Sequence, residues 1–278
     1  MATRIRWRSE LLKHAFIWFV LLFAFLPFYL MIVISFKDNK QFVNNPWLFD
    51  AFRDLHWENW AKAWAIVQNY IANSIVTSVG AVVICLVMAV LTSYALARYR
   101  FPGRNVLYYG LVASMFLPGT AATLVTMFTL LKGLGLINNL MALVIVSAVG
   151  GQVVCVFILR QFIEDIPTEL FESAQIDGAG HLHQICHIVL PMSGSILGTL
   201  AILQFLAAWN NLMLPLVIMR DDELLTIPVG LMRLEGEYVK QWGEMMAGYT
   251  IASIPLVILF LFTMRFFVRG LSAGAIKG

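Results

Sequence analysis

A polar island, Pro167-Thr-Glu-Leu-Phe-Glu-Ser-Ala-Gln-Ile-Asp-Gly-Ala-Gly180, stands between two long apolar stretches and closes at Leu190-Pro191. It holds no metal cluster, nucleotide-binding loop or nucleophile, so its chemistry is that of a contact surface. Pro167 suits the beginning of a helix and Thr168 is the expected N-cap. Glu169 and Glu172 then lie in the early turns, where negative charge complements the helix dipole. Three apart, they share one side, and Leu170, Phe171 and Ala174 cluster on the other. Ser173 and Ala174 are small enough for a facing surface to come close, and Phe171 is expected to be exposed. Asp177-Gly178 ends the helix, with Gly178 or Gly180 as its left-handed cap and Ala179 between them. A second short helix is expected over 181–189. The residues themselves leave two readings open, a solvated hairpin and a docking surface.

His183 and His187, four apart on that second helix, and His181 before them, invite a metal. No acidic or thiol ligand is obviously paired with them, and Cys186 points elsewhere, so contact with solvent or a partner is expected and no metal site. Three cysteines, Cys85, Cys155 and Cys186, give an odd count without close spacing, which suggests neither a disulfide framework nor zinc. The chain has no Walker-type glycine loop and no residue set for catalysis or for a cofactor of its own.

The island must be held by what flanks it. The chain has 278 residues, 60% apolar and 13% charged, and an ordinary soluble domain is closer to a quarter charged. Six apolar spans can be counted, at 15–36, 70–97, 105–131, 140–159, 192–219 and 245–264. Each reaches the ~20 residues that a membrane-crossing helix needs, and in lipid only a helix or a closed barrel satisfies its own backbone. The short alternating segments of a barrel are absent. An all-α membrane protein with six transmembrane helices is therefore expected. The first apolar run is too long for a secretory signal core and lacks a cleavage pattern, so it reads as an uncleaved helix.

With the N-terminus inside, eleven of the 19 Lys and Arg residues fall on the inner side and eight outside, and the acids are biased the other way. The compact run Arg98, Arg100, Arg104 is the most persuasive local sign of an inner loop. Both termini and the island at 160–191 are then cytoplasmic. Three segments are expected: 1–69 with the first helix and an outer interfacial stretch, 70–268 with the remaining five helices, and a tail at 269–278. In the first, Trp57, Trp60 and Trp64 share one helical face, which suggests a short helix lying flat at the outer surface or a contact with an external protein. Pro118-Gly119 should kink or break span three. No ionisable residue falls deep within spans two to five and no internal repeat is evident, which argues against an ion-coupled secondary transporter, the main alternative.

The run Glu172-Ser-Ala-Gln-Ile-Asp-Gly-Ala-Gly180 with Leu190-Pro191 resembles the EAA loop of ABC importer permeases. Glu172, Ala174, Gly178, Ile188, Leu190 and Pro191 match that pattern, and Asp177-Gly-Ala179 matches its sugar-importer version. Ser173 replaces the first Ala, and Ile185-Cys186 stands where an aromatic is common. The likeness continues through Asn73-Ser74, Tyr94 to Arg104, Pro118, Leu134-Gly-Leu-Ile-Asn138, Trp209-Asn210 and Pro255, and the tail from Gly270 is similar to that of maltose-type permease subunits. The resemblance implies a type I importer fold in the bacterial inner membrane. It implies four partners: a second related permease, two ATPase subunits that use ATP and Mg, and an external solute-binding protein. Nucleic acid is not among them. It further implies that Glu169, Leu170, Phe171, Glu172, Ser173, Ala174, Asp177, Gly178, Ala179, Leu190 and Pro191 couple the chain to an ATPase. A sugar path would lie near the midplane, with Pro118, Trp209, Asn210 and Asn211 as candidates. There Trp209 would offer a stacking face and the asparagines hydrogen bonds.

Overall fold

The computed structural model describes residues 2–117, 121–237 and 241–275, with side chains described at 10–11, 13–117, 122–233 and 241–264. Among these residues every regular element is a helix. In chain order they are α1 (Ala2–Ser35), α2 (Asn39–Asn44), α3 (Glu58–Arg98), α4 (Arg104–Ser114), α5 (Ala121–Gly133), α6 (Leu140–Glu164), α7 (Thr168–Ile176), α8 (His181–Gln184), α9 (Leu190–Met192), α10 (Gly194–Trp209), α11 (Met213–Ile218), α12 (Ile227–Glu237) and α13 (Trp242–Ala275). Five stretches are long and apolar enough to cross a membrane: Lys13–Ser35, Glu58–Arg98, Leu140–Glu164, Gly194–Ile218 and Trp242–Met264. Their large side chains face outward in quantity; Phe16, Trp18, Phe19, Leu22 and Phe23 on α1 are all more than half exposed. Such a surface is stable against lipid and not against water.

The third span is two helices, α4 and α5; Pro118 and Gly119, expected to kink or break it, lie outside the described residues. Two expectations are corrected here. The flat outer helix is absent as a separate element. Instead α3 runs unbroken for 41 residues, about 61 Å at 1.5 Å per residue, because nothing between Trp64 and Tyr70 breaks a helix. Trp57 precedes α3, set edge-on to Phe36 at 4.8 Å, and Trp60 stacks on the same ring at 5.3 Å. Finally, the fifth span is interrupted. Asn210 and Asn211 separate α10 from α11, whose third residue is Pro215. Proline has no N–H to continue the ladder, but in a first turn that N–H has no partner to lose.

The chain divides into two compact units, Met1–Gln68 with Leu231–Leu256, and Asn69–Gly230 with Val257–Gly278. In the first, Lys37 is buried and paired with Asp50. Asn59 Nδ2 donates to Ser35 O and Lys37 O, each at 3.0 Å. Gly243 leaves room for the Lys37 carbonyl, which a Cβ there would strike. Lys62 Nζ reaches Glu244 at 2.8 Å.

In the second unit α3 packs on α6 through small residues, Ala81, Cys85 and Ala89 against Ala148 and Cys155. Small side chains let apolar helices approach closely. Ser93 Oγ donates to Val156 O at 3.2 Å, and the Cys85 and Cys155 sulfurs lie 3.7 Å apart. Their 70-residue separation in sequence hid this neighbourhood. Oxidation with copper phenanthroline should join these two and leave Cys186 free, read as one intramolecular disulfide in peptide mapping. Recovery of both thiols unlinked would contradict the register of α3 on α6.

The connection between α11 and α12 is latched by side chains. Asn73 Nδ2 donates to Glu223 O and Leu225 O, and Ser74 Oγ accepts from Ile227 N at 2.9 Å. Asn138, in the left-handed region at φ 59°, accepts from Arg220 N and Asp221 N and donates to the Asp221 carboxylate. Asparagine is among the few residues that tolerate this conformation.

Candidate functional site

The connection between α6 and α10 is built from α7, a tight turn and an irregular second helix. Pro167 is extended (φ −51°, ψ 131°) and takes the N-cap position itself, so Thr168 is the first helical residue and makes no cap bond. This corrects the expected N-cap. At the other end Gly178 is left-handed at φ 81° and Gly180 is not. Ala179 N donates to Ala174 O at 2.8 Å and Gly178 N to Gln175 O at 3.0 Å. Those two bonds define a Schellman turn, which satisfies carbonyls that a helix end otherwise leaves bare.

Phe171 is buried at 4% exposure, contrary to its expected exposure. Leu170 and Phe171 are adjacent, so only one of them can face inward. The one that does is clamped by α3: the Arg98 guanidinium lies 3.7 Å over the Phe171 ring, and the Tyr94 ring is 6.4 Å away. Arg98 Nη2 also donates to Ile163 O (2.9 Å) and Ile166 O (2.7 Å), carbonyls at and just beyond the end of α6. A second clamp holds the far side of the turn. Tyr94 Oη donates to Gln184 Oε1 at 2.7 Å and lies 3.1 Å from His181 Nδ1, while Gln184 Nε2 donates to Ala179 O at 3.3 Å. At the end of α6, Arg160 pairs with Glu164 at 2.8 Å and covers the Tyr108 ring.

With Phe171 turned in, Glu169, Leu170, Glu172, Ser173, Asp177 and Gly178 are exposed, and Ala174 and Ala179 are half-buried. Ile176 and Leu182 are exposed at 87% and 71%. The second helix extends past 189, through Leu190 and Pro191 to Met192, with a π turn over Ile185–Val189. A proline ring clashes with the carbonyl four residues back, and the wider π turn gives it room. His183 and His187 stack at 3.9 Å, and among the described residues no three His, Cys, Asp or Glu side chains gather as for a metal.

The second set of candidates divides. Trp209 is buried and its ring stacks on Phe205 at 5.3 Å, so its face is occupied within this chain; the expectation that it offers a stacking face is corrected. Asn210 is exposed, whereas Asn211 Oδ1 accepts from Leu214 N at 3.4 Å and opens α11. Asn211 also borders a cavity of ≈ 530 Å³ between α5, α6, α10 and α11. Pro118 lies outside the described residues.

Several residues escaped sequence reasoning. In the sequence Tyr94 stands out only within the family run and Arg98 only there and in the basic inner loop, and nothing marks Gln184 within its helix. Gln204, at 4% exposure, is a buried amide in the apolar wall of the cavity. A lone amide between Leu203 and Phe205 was the available signal, since polar groups within apolar helices are costly unless they bind something.

Residues 86–273 match the model of the family described as binding-protein-dependent transport system inner membrane component. The chain is 32% identical over 265 residues to the arabinooligosaccharides transport system permease protein AraQ of Halalkalibacterium halodurans, covering 94% of each. It is 32% identical to the trehalose/maltose transport system permease protein MalG of Thermococcus litoralis, covering 91% of each. A chain in the crystal structure of a bacterial ABC transporter involved in alginate import superposes with a TM-score of 0.80 at 20% identity, over 93% of this chain and 96% of that one. The helices described above thus form the ABC importer permease fold, and the chain belongs to the family of binding-protein-dependent transport system inner membrane components.

Proposed function

We propose that this chain is a permease subunit of an ATP-driven importer that carries a sugar or related carbohydrate across the bacterial inner membrane by alternating access. It performs no hydrolysis; separate ATPase subunits use ATP and Mg, a second related permease completes the pathway, and an external solute-binding protein delivers the sugar. Both termini and the α6–α10 connection face the cytoplasm, as the Lys and Arg bias favours. The curated relatives it matches handle arabinooligosaccharides and trehalose or maltose, which supports the carbohydrate class.

One observation carries the coupling part of this reading. Phe171, Gly178 and Arg98 fix α7 as a rigid knob, and they leave its acidic and small residues on the outside. A knob clamped to α3 and α6 moves those helices when it is pushed, whereas a loose hairpin would absorb the push. Closure of an ATPase dimer against α7 then tilts the helices around the pathway. The reading is tested by reconstituting the chain with its genomic neighbours in proteoliposomes and measuring sugar uptake. Uptake that requires ATP and the binding protein is expected. Uptake driven by a proton or sodium gradient without ATP would overturn it.

A further inference from the structure

The chain leaves α1 at Phe36 and comes back to the same place, where His56 N donates to Phe36 O at 2.9 Å. The excursion so closed carries the run Pro46-Trp-Leu-Phe-Asp-Ala-Phe52, whose only charged residue is Asp50. That charge is neutralised within the chain, because Asp50 pairs with the buried Lys37. What the run leaves outside is apolar: Trp47, Leu48, Phe49 and Phe52 are exposed, Phe52 at 80%. Polar residues follow at once, and Arg53, Asp54, His56 and Glu58 border one pocket with Gln41. The excursion thus separates an apolar stretch from a polar one.

The depth of the apolar stretch identifies what meets it. Tyr29 Oη donates to Trp47 O at 3.0 Å, and the Phe49 ring lies 6.3 Å from that of Tyr29 and 6.2 Å from that of Phe36. Tyr29 stands six residues before Ser35, the end of α1, which is about 9 Å along the axis. The stretch is therefore folded back beside the last turns of a membrane-crossing helix. A protein arriving from water meets the headgroups before it reaches this level, whereas exposed aromatic rings suit the boundary between headgroups and acyl chains. The apolar surface also continues into the exposed side chains of α1 at Phe25 and Phe28.

We propose that residues 46–52 form a wedge seated in the phospholipid leaflet in which α1 ends, the outer leaflet when the termini are cytoplasmic. The occupant of this surface is lipid, and neither the solute-binding protein nor the second permease covers it. The pairing of Asp50 with Lys37 permits the seat, since an unpaired charge at that depth is costly. The proposal goes beyond the importer reading and needs only that α1 crosses the membrane.

The test uses the complete reconstituted importer in vesicles of phosphatidylethanolamine and phosphatidylglycerol, with Cys85, Cys155 and Cys186 replaced by alanine. Nitroxide labels are placed through Leu48→Cys, Phe52→Cys and, on the polar stretch, Asp54→Cys. Their collisions with oxygen, which concentrates in lipid, and with a water-soluble nickel chelate are then compared. Oxygen should dominate several-fold at 48 and 52, and nickel at 54. Nickel dominating at all three positions would overturn the wedge and show a solvated loop. Little collision with either reagent at 48 and 52 would sink it as well, because protein would then cover the surface. Phe52→Asp in the otherwise unaltered chain is a second measurement, open even where the labelled chains fail to assemble. It should lower the thermal midpoint of the vesicle-embedded assembly by several degrees, and an unchanged midpoint would count against the seat in lipid. None of these readouts depends on uptake, so the importer reading stands or falls separately.

Discussion

Gly178→Asp should insert into the membrane at near wild-type level and lose ATPase co-purification and sugar uptake by at least about tenfold, because an unpaired charge forced into a protein contact is strongly unfavourable. The argument has two parts that separate experimentally. Gly178 sits at φ 81°, where a side chain is strained, yet a Cβ built there meets nothing within 4 Å. The folding cost is therefore backbone strain alone, about 1 kcal/mol, and the Schellman bonds from Ala179 and Gly178 can survive it. What changes is the outer face of the turn, which gains a carboxylate beside Asp177. Gly178→Asn is the control. Asparagine is neutral and tolerates the left-handed region, so it should retain most coupling. Normal co-purification and uptake in the Asp variant would remove this turn from the coupling surface. Equal losses in both variants would assign the effect to bulk or strain at the contact and not to charge.

Much of this arrangement was legible in the sequence, and the exceptions share a cause. Apolar runs marked the membrane helices, because crossing lipid imposes a length and a composition on contiguous residues. The glycine end of α7 was legible too, since Asp177-Gly178-Ala179 carries its stop signal locally. Phe171 was misread because its burial is decided by Arg98 and Tyr94, more than seventy residues earlier. The same holds for Cys85 with Cys155, a contact across helices with no local trace, and for the partner of Gln204, since a lone amide between Leu203 and Phe205 marks the residue but not Ser147. The unbroken α3 and the interrupted α10–α11 erred in opposite directions. An interfacial tryptophan pattern does not stop a helix, whereas Asn210-Asn211 followed by Pro215 does.

Arg98→Ala is expected to uncouple the proposed importer: ATP hydrolysis by the partner subunits should persist while uptake per ATP should fall by at least about tenfold, the equivalent of roughly 1.4 kcal/mol. Arg98 is a positioning residue, acting through α7. Its guanidinium ties the last residue of the α3 helix to Ile163 O and Ile166 O and lies flat on Phe171. Truncation removes the Arg98 donor from Ile166 O, leaves Ile163 O with only the long bond from Ile166 N at 3.4 Å, and removes a cation–π contact, together about 2–3 kcal/mol. That is enough to let α7 shift on α3, so a push from below would be spent in the slack. Arg98→Lys keeps the charge but can neither fork to two carbonyls nor stack on the ring, and it should recover coupling only in part. Measuring uptake and ATPase activity on the same vesicles separates the possibilities. A plain loss of stability lowers both in proportion, and a wild-type ratio of uptake to hydrolysis in Arg98→Ala would show that the clamp does not transmit the stroke.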